Sequence, residues 1–295
     1  MSLIENSLEK LRRASGAAKE PATAVLVPAA VRAESVATLE LRPLHRRTSV
    51  DCDRLRAAGY LPERSEERRF ADYCHRIKRP LIDRALGTGA APDARIILLS
   101  SALPGDGKTF ITLNLAFSMA RERDISVLLV DGDLPRAQIS HLLGMQNEAG
   151  LLTALRDEKV DVESLIHDTE VSGLEILPAG SPPDGAAELI ASSRMREVVA
   201  RLSARNPRRL ILFDSPPLLV SSEARALMPV PGQIVLVARA GHTPRRAITD
   251  AIANIDRKKL LGLVLNDAHV SGNQHGYYDY GYGAPAEAVV RRDRS

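Results

Sequence analysis

Residues 95–110, RIILLSSALPGDGKTF, decide how the rest of the chain is interpreted. The stretch opens with a continuous apolar run that ends in two serines, which predicts a buried strand. Gly105 and Gly107 then mark a turn, and the helical pattern KTFITLNLAFSMARER begins at Lys108. A strand, a glycine-rich turn and a helix in this order form the setting of a phosphate-binding loop.

The turn matches the phosphate-loop pattern Gly-x4-Gly-Lys-Thr, with Ala102 in place of the first glycine. Its two glycines let backbone N–H groups curl around phosphate oxygens at the positive end of the helix. Lys108 would neutralise the β- and γ-phosphates, and the Thr109 hydroxyl can ligate Mg²⁺. We predict that ATP is bound by Ala102, Leu103, Pro104, Gly105, Asp106, Gly107, Lys108, Thr109 and Phe110.

Further apolar strands follow at intervals, separated by helix-like segments. They are SVLLVDGD (126–133), LEILPAG (174–180), RLILFDSPP (209–217), GQIVLVARA (232–240) and LLGLVLND (260–267). This alternation indicates an α/β fold, a parallel sheet with helices on both faces. With the phosphate loop, that fold resembles the P-loop NTPases of the ParA/MinD-like type. The ligand site is expected outside the carboxyl ends of the strands.

Carboxylates stand at the ends of two predicted strands. Asp131 and Asp133 end VLLVDGD and should point the same way by strand periodicity. Asp214 follows four apolar residues in a Walker B pattern. We predict that Asp131, Asp133 and Asp214, together with Thr109, hold Mg²⁺. The same three aspartates and Lys108 are the candidate catalytic residues, and the division of labour between Asp131 and Asp133 stays open.

The chain divides into three predicted parts. Residues 1–60 are interpreted as a short amphipathic helix (2–13) followed by a linker, and residues 61–270 carry the strands. Within the second part, 65–86 predicts a charged helix that is interrupted at Pro80. Residues 271–295 lose the periodic pattern and form a flexible tail in this interpretation.

Composition excludes several classes of protein. With 40 basic and 37 acidic residues, the net charge of +3 gives no argument for nucleic acid as a partner. Two cysteines imply no disulfide framework, which suits a reducing cytosol. No apolar run approaches the ~20 residues of a membrane span, and no signal-peptide pattern opens the chain. We therefore expect a soluble protein whose membrane role, if it has one, comes through a partner.

The tail concentrates tyrosine in a chain that is poor in aromatic residues. Four of the six tyrosines, Tyr277, Tyr278, Tyr280 and Tyr282, lie in GYYDYGYG (276–283). The interspersed glycines disfavour a packed helix or strand. The cluster is therefore not predicted to be part of a core, and composition alone assigns it no function.

Together, SALPGDGKT, VLLVDGDLPR, LILFDSPP and the tyrosine cluster resemble the bacterial tyrosine kinases (BY-kinases) over roughly residues 65–283. The chain looks most like the soluble autokinases found with exopolysaccharide synthesis and export systems. The resemblance implies that the loop 102–109 binds ATP and that Asp131 and Asp133 share Mg²⁺ coordination and tyrosine activation. It also implies that the clustered tyrosines are autophosphorylated between subunits of a ring.

The resemblance further implies an activator, a membrane polysaccharide chain-length regulator. The expected location is therefore cytoplasmic and peripheral to the inner membrane through that partner. The family often builds its ring on a Glu-x2-Arg-x2-Arg helix. Here the nearest matches are Asp72-x2-His75-x2-Lys78 and Tyr73-x2-Arg76-x2-Arg79, and neither has the motif residue at all three positions. Asn266, at the end of the last strand, is a candidate contact for adenine.

Two other functions stay open. A ParA/MinD-type ATPase switch carries a lysine five residues before the main lysine of the loop, where this chain has Leu103. The missing charge and the tyrosine tail both argue against that class. A non-catalytic scaffold that binds ATP and regulates an export complex is compatible with the same motifs.

Overall fold

The computed structural model describes residues 46–181 and 186–268. The predicted helix at 2–13 and the tyrosine cluster lie outside the described residues. Within those ranges an eight-stranded sheet has the order β1-β4-β5-β3-β6-β2-β7-β8. All neighbouring strands are parallel except the antiparallel pair β4–β5. The strands are β1 Arg46–Thr48, β2 Ile96–Ser101, β3 Ser126–Asp131, β4 His167–Thr169, β5 Leu174–Leu177, β6 Arg209–Asp214, β7 Gln233–Arg239 and β8 Leu260–Asn266.

Helices cover both faces of this sheet, which confirms the predicted α/β architecture. They are α1 Cys52–Ala57, α2 Glu67–Leu86, α3 Lys108–Ala120, α4 Gln138–Leu142, α5 Leu151–Arg156, α6 Ala186–Ala191, α7 Ser193–Arg205, α8 Ser222–Leu227 and α9 Arg245–Ala253. In β2, Ile97 and Leu99 pack with α2 and α3 on one face. Ile96 and Leu98 join the core under α5–α9 on the other. This alternation explains why the strands are apolar without interruption.

Helix α2 runs for 20 residues through Pro80, so the predicted interruption at Pro80 is wrong. Proline removes one backbone donor, a cost that neighbouring packing can outweigh. Leu81, Ile82 and Ala85 directly after Pro80 are buried in the core, and Cys74 is buried before it. Tertiary packing therefore holds the helix together on both sides of the proline.

The last part of the predicted linker, residues 46–60, contains regular structure. Strand β1 pairs in parallel with β4 at the edge of the sheet, and α1 buries Leu55 in the core. A three-residue strand and a six-residue helix are too short to produce a periodic signal. Nowhere in 46–181 or 186–268 is there a helix with the length and apolar character that crossing a membrane requires.

Candidate active site

The phosphate loop joins β2 to α3 at the carboxyl edge of the sheet. Gly105 and Gly107 have φ angles of +85° and +89°, in the left-handed region that only glycine adopts without strain. A Cβ at Gly107 would also collide with the Asn266 amide. The two glycines are therefore required by backbone conformation, and a side chain at position 107 would also displace the Asn266 amide.

Lys108 and Thr109 lie against the carboxylates that the sequence singled out. The Lys108 Nζ is 2.7 Å from Asp133 Oδ2 and 3.8 Å from Asp214 Oδ2. The Thr109 hydroxyl donates to Asp214 Oδ2 at 2.7 Å, and the Thr112 hydroxyl donates to Asp214 Oδ1 at 3.1 Å. Sequence reasoning missed Thr112, although it lies one helical turn beyond Lys108 on the same face of α3.

Burial shifts the pKa values of this cluster. It raises the pKa of Asp214, although Lys108 and the Thr109 hydroxyl act in the opposite direction. Burial would lower the pKa of Lys108, but Asp214 and Asp133 outweigh it, and the net shift of that pKa is upward. Lys108 is therefore held firmly in its charged form, as a phosphate-binding lysine must be.

Asp131 and Asp133 have different surroundings. Strand β3 ends at Asp131, so strand periodicity does not give Asp133 the same direction. The backbone N–H and the hydroxyl of Ser140 both donate to Asp131 Oδ2 at 2.7 Å. Asp131 Oδ1 is buried and has no hydrogen-bond partner among the described residues. Burial raises the pKa of Asp131 to about 7.

The residues present fit a magnesium ion that arrives with a nucleotide. Among the described residues, no three His, Cys, Asp or Glu side chains form a ready-made metal cage. Mg²⁺ usually takes one or two carboxylates and completes its octahedron with water and substrate phosphates. The orphaned Asp131 Oδ1 and the Thr109 hydroxyl are oxygen donors of the required kind.

A buried carboxylate inside the phosphate loop supports its shape. Asp106 is 1% exposed; its Oδ2 accepts from Leu103 N–H at 3.0 Å, and its Oδ1 accepts from the Thr243 hydroxyl at 2.6 Å. The Asn266 amide donates to the Asp106 carbonyl at 3.1 Å. Asn266 thus contacts the loop backbone in this structure, and its contact with adenine stays a prediction. Thr243, which follows β7, carried no motif that could have identified it.

Replacing Thr243 by valine preserves its shape and removes the hydroxyl that braces Asp106. A buried carboxylate oxygen without its donor should loosen the loop, and we expect nucleotide affinity to fall about five- to twentyfold. Calorimetric titration with ATP measures this change. Thr243→Ser retains the hydroxyl and should bind ATP as the unmodified protein does. An equal loss in both variants would assign the effect to packing instead.

One cavity of about 1040 Å³ collects most of the predicted site residues. Its lining includes Pro104, Gly105, Gly107, Lys108, Thr109, Phe110, Asp133 and Asn266. Ala102, Leu103, Asp106, Asp131 and Asp214 do not line it, and all of them except Leu103 are buried. The lining also includes Arg69, Tyr73 and Arg76 from the first half of α2. The cavity therefore extends well beyond the phosphate loop.

The structure distinguishes the two motif frames on α2. Lys78 is buried, donates to the Ser118 carbonyl at 2.8 Å and pairs with Glu122 at 2.8 Å. The frame Asp72-x2-His75-x2-Lys78 therefore cannot present its third residue to another molecule. In the other frame, Tyr73, Arg76 and Arg79 are all exposed.

Proteins with similar sequences and solved structures with a similar fold include bacterial tyrosine kinases. Tyrosine-protein kinase YwqD of Bacillus subtilis is 31% identical over 186 residues, which is 62% of this chain and 76% of the relative. Tyrosine-protein kinase wzc of Salmonella typhimurium is 30% identical over 189 residues, 63% of this chain and 26% of the relative. The kinase domain of Escherichia coli tyrosine kinase ETK superposes with a TM-score of 0.59 at 25% identity, covering 72% of this chain and 80% of that domain.

No family model matches the chain. The chain spans about three quarters of YwqD, but only about a quarter of wzc. The superposition with the ETK kinase domain extends over most of both chains. On the similarity to YwqD, and with the phosphate loop and its aspartates assembled at one edge of the sheet, the chain belongs to the family of bacterial tyrosine-protein kinases.

Proposed function

We propose that the protein is an ATP-dependent protein-tyrosine kinase that phosphorylates its own C-terminal cluster, Tyr277, Tyr278, Tyr280 and Tyr282. The observation that carries the proposal is the contact of Lys108 with Asp133 and Asp214 at the mouth of the sheet. A phosphate-binding lysine, a threonine that can hold a metal and a carboxylate that lines a large cavity are the parts that phosphoryl transfer to a hydroxyl needs.

The phosphate loop and Lys108 would bind the β- and γ-phosphates of ATP. Thr109, Asp131 and Asp214 would hold Mg²⁺ directly or through water, with Asp133 close by. Mg²⁺, when bound, would supply positive charge that neutralises the phosphate oxygens of ATP. Thr112 and Ser140 would keep the carboxylates of Asp214 and Asp131 oriented through their hydrogen bonds.

Asp133 is the candidate proton acceptor. A free phenol has a pKa of about 10, so a tyrosine acceptor benefits from a carboxylate within reach of its proton. Lys108 would exchange its contact with Asp133 for phosphate oxygens, which frees the Asp133 carboxylate toward the cavity. The phenol oxygen then bonds to the γ-phosphorus, the bond to ADP breaks, and the phenol proton passes to Asp133.

The tail can supply the acceptor to its own site or to a neighbour's. Tyr277 lies 11 residues beyond Asn266, so the intervening chain spans at most about 40 Å. We propose transfer between copies in a homo-oligomer, with a membrane polysaccharide chain-length regulator as activator and control of exopolysaccharide polymerisation and export as the outcome. These partners follow from the family resemblance.

Mass spectrometry of the intact protein and its peptides after incubation with Mg-ATP tests this function. We expect phosphate on residues 277–282, and no phosphotyrosine in a protein with all four replaced by phenylalanine. Mixing that variant, which keeps its active site, with a Lys108→Met protein, which keeps its tyrosines, tests whether transfer occurs between copies. ATP hydrolysis without phosphotyrosine, even with a cytoplasmic fragment of the activator, would instead support a nucleotide switch or a scaffold.

A further inference from the structure

The cavity is larger than a nucleotide requires, and it is lined by residues well beyond the phosphate loop. Its volume of about 1040 Å³ stands at the upper end of the range, roughly 300–1,000 Å³, of pockets that enclose one small ligand. The phosphate loop supplies part of the lining, and the first half of α2 supplies Arg69, Phe70, Tyr73, Arg76 and Ile77. These α2 residues are thus available to a second ligand in the same cavity.

The α2 wall is positively charged. Arg76 is exposed and forms no ion pair with any described residue. The Arg69 Nε donates to the Tyr73 hydroxyl at 3.0 Å, and its guanidinium carbon lies 5.8 Å from the centre of the Tyr73 ring. These contacts hold Arg69 in place without neutralising it.

Acidic residues elsewhere in the cavity do not cancel this charge. Asp133 is paired with Lys108, and Asp267 is paired with Arg239 at 2.9 Å. Among the described residues of the lining, Glu66 is the remaining acid, so one negative charge stands beside the two positive charges of Arg69 and Arg76. The wall is suited to an anionic ligand, and Phe70, which packs against Phe110 at 5.0 Å between ring centres, adds an apolar surface beside it.

We propose that Arg69 and Arg76 form a subsite for the anionic group next to an acceptor tyrosine. This inference rests on the proposed kinase function. The ligand class is an acidic, tyrosine-bearing peptide, and the segment of this chain with that chemistry is YYDYGY (277–282), in which Asp279 lies among the tyrosines. An arginine fork binds a carboxylate or a phosphate with two parallel hydrogen bonds. The oxyanion can thus come from Asp279 or from a phosphotyrosine made in an earlier transfer.

Binding of a fluorescent peptide of residues 273–285 to the full chain, measured by anisotropy with a non-hydrolysable ATP analogue, tests the subsite. We expect Arg76→Gln and Arg69→Gln to weaken binding about tenfold each. Arg68→Gln is the matched control, because Arg68 is exposed on α2 but does not line the cavity. It should bind the peptide normally.

Altered peptides identify the anionic group. A peptide with Asp279→Asn should bind about tenfold more weakly to the unmodified protein and should lose its sensitivity to Arg76→Gln. If phosphotyrosine at 280 restores the affinity of that peptide, either oxyanion serves. Affinity that is insensitive to Arg69, Arg76 and Asp279, or no measurable binding of the native peptide, overturns the proposal.

Two further measurements distinguish a peptide subsite from a role of Arg76 in assembly or in folding. Sedimentation velocity of Arg76→Gln shows whether copies still associate, and a parallel loss of assembly and peptide binding would make Arg76 an assembly residue and overturn the proposal. The dissociation constant for the ATP analogue should stay within about twofold, which excludes general unfolding. Because binding is measured without turnover, a protein that binds the peptide but never phosphorylates it would contradict the kinase function and leave the subsite standing.

Discussion

Replacing Lys108 by methionine should reduce ATP-dependent tyrosine phosphorylation at least about 10³-fold. The Lys108 ammonium is the cation of the phosphate loop, and its Nζ is the group that contacts both Asp133 and Asp214. Without it, charge that develops on the transferred phosphoryl group is left without its fixed counter-charge, which in enzymes costs several kcal/mol. Quantitative phosphotyrosine mass spectrometry over a time course measures the loss.

Lys78→Met is the matched control for Lys108→Met. Both lysines are largely buried, with side chains 8% and 12% exposed, and both pair with a carboxylate. Lys78 lies on α2 against Glu122, outside the cavity lining. Its replacement should lower stability and leave the kinase active when folded. Substantial phosphotyrosine from Lys108→Met would contradict the assignment of the phosphate loop. Equal loss of activity in folded Lys108→Met and folded Lys78→Met proteins would contradict it as well.

Replacing Asp131 by asparagine should stabilise the nucleotide-free protein while it impairs catalysis. Burial, with smaller contributions from Asp214 and Asp133, raises the pKa of Asp131 from 3.8 to about 7. A shift of about three units corresponds to at most about 4 kcal/mol of lost stability at neutral pH. Asparagine keeps an oxygen for Ser140 and carries no charge. The asparagine amide nitrogen takes the place of Oδ1, which has no hydrogen-bond partner among the described residues, so part of this gain is lost. We expect a net gain of about 1–2 kcal/mol and a rise in Tm of a few degrees.

The pH dependence has a defined sign. In the unfolded chain Asp131 loses its proton near pH 3.8, whereas in the folded protein it keeps the proton up to about pH 7. Between these values the unfolded state binds fewer protons, so this group makes the folded state less stable as pH rises. The advantage of Asp131→Asn should therefore grow from pH 4 to 7 and then level off. Thermal unfolding at several pH values in the presence of a chelator measures it.

Asp133→Asn is the contrasting variant, because Asp133 is paired with Lys108 and Asp131 accepts from Ser140. It should give no comparable stabilisation, since it removes the partner of a buried ammonium. Both variants should lose most of their kinase activity. An Asp131→Asn protein that is less stable than the unmodified protein at pH 8 would show that the cost of burying this carboxylate is offset in the fold.

Structural features that are encoded by a few consecutive residues could be predicted from the sequence. The strand, the two glycines and the helix around Lys108 follow from hydrophobic periodicity and from backbone conformations that are open to glycine. The apolar strands predicted a covered parallel sheet for the same reason, since a strand buried on both faces has no polar alternation. The tyrosine tail and the Walker B aspartate were visible as local composition.

Interactions between distant residues were decided only by the tertiary structure. Thr109 meets Asp214 across 105 positions, and Asp106 meets Thr243 across 137. Strand β1 forms because it pairs with the edge of β4. Helix α2 continues through Pro80 because residues on both sides of the proline pack into the core. The same packing buries Lys78 and leaves Arg76 facing the cavity. Local pattern specifies each element, but burial and pairing depend on which elements the folded chain brings together, and that free energy is not a property of any short segment.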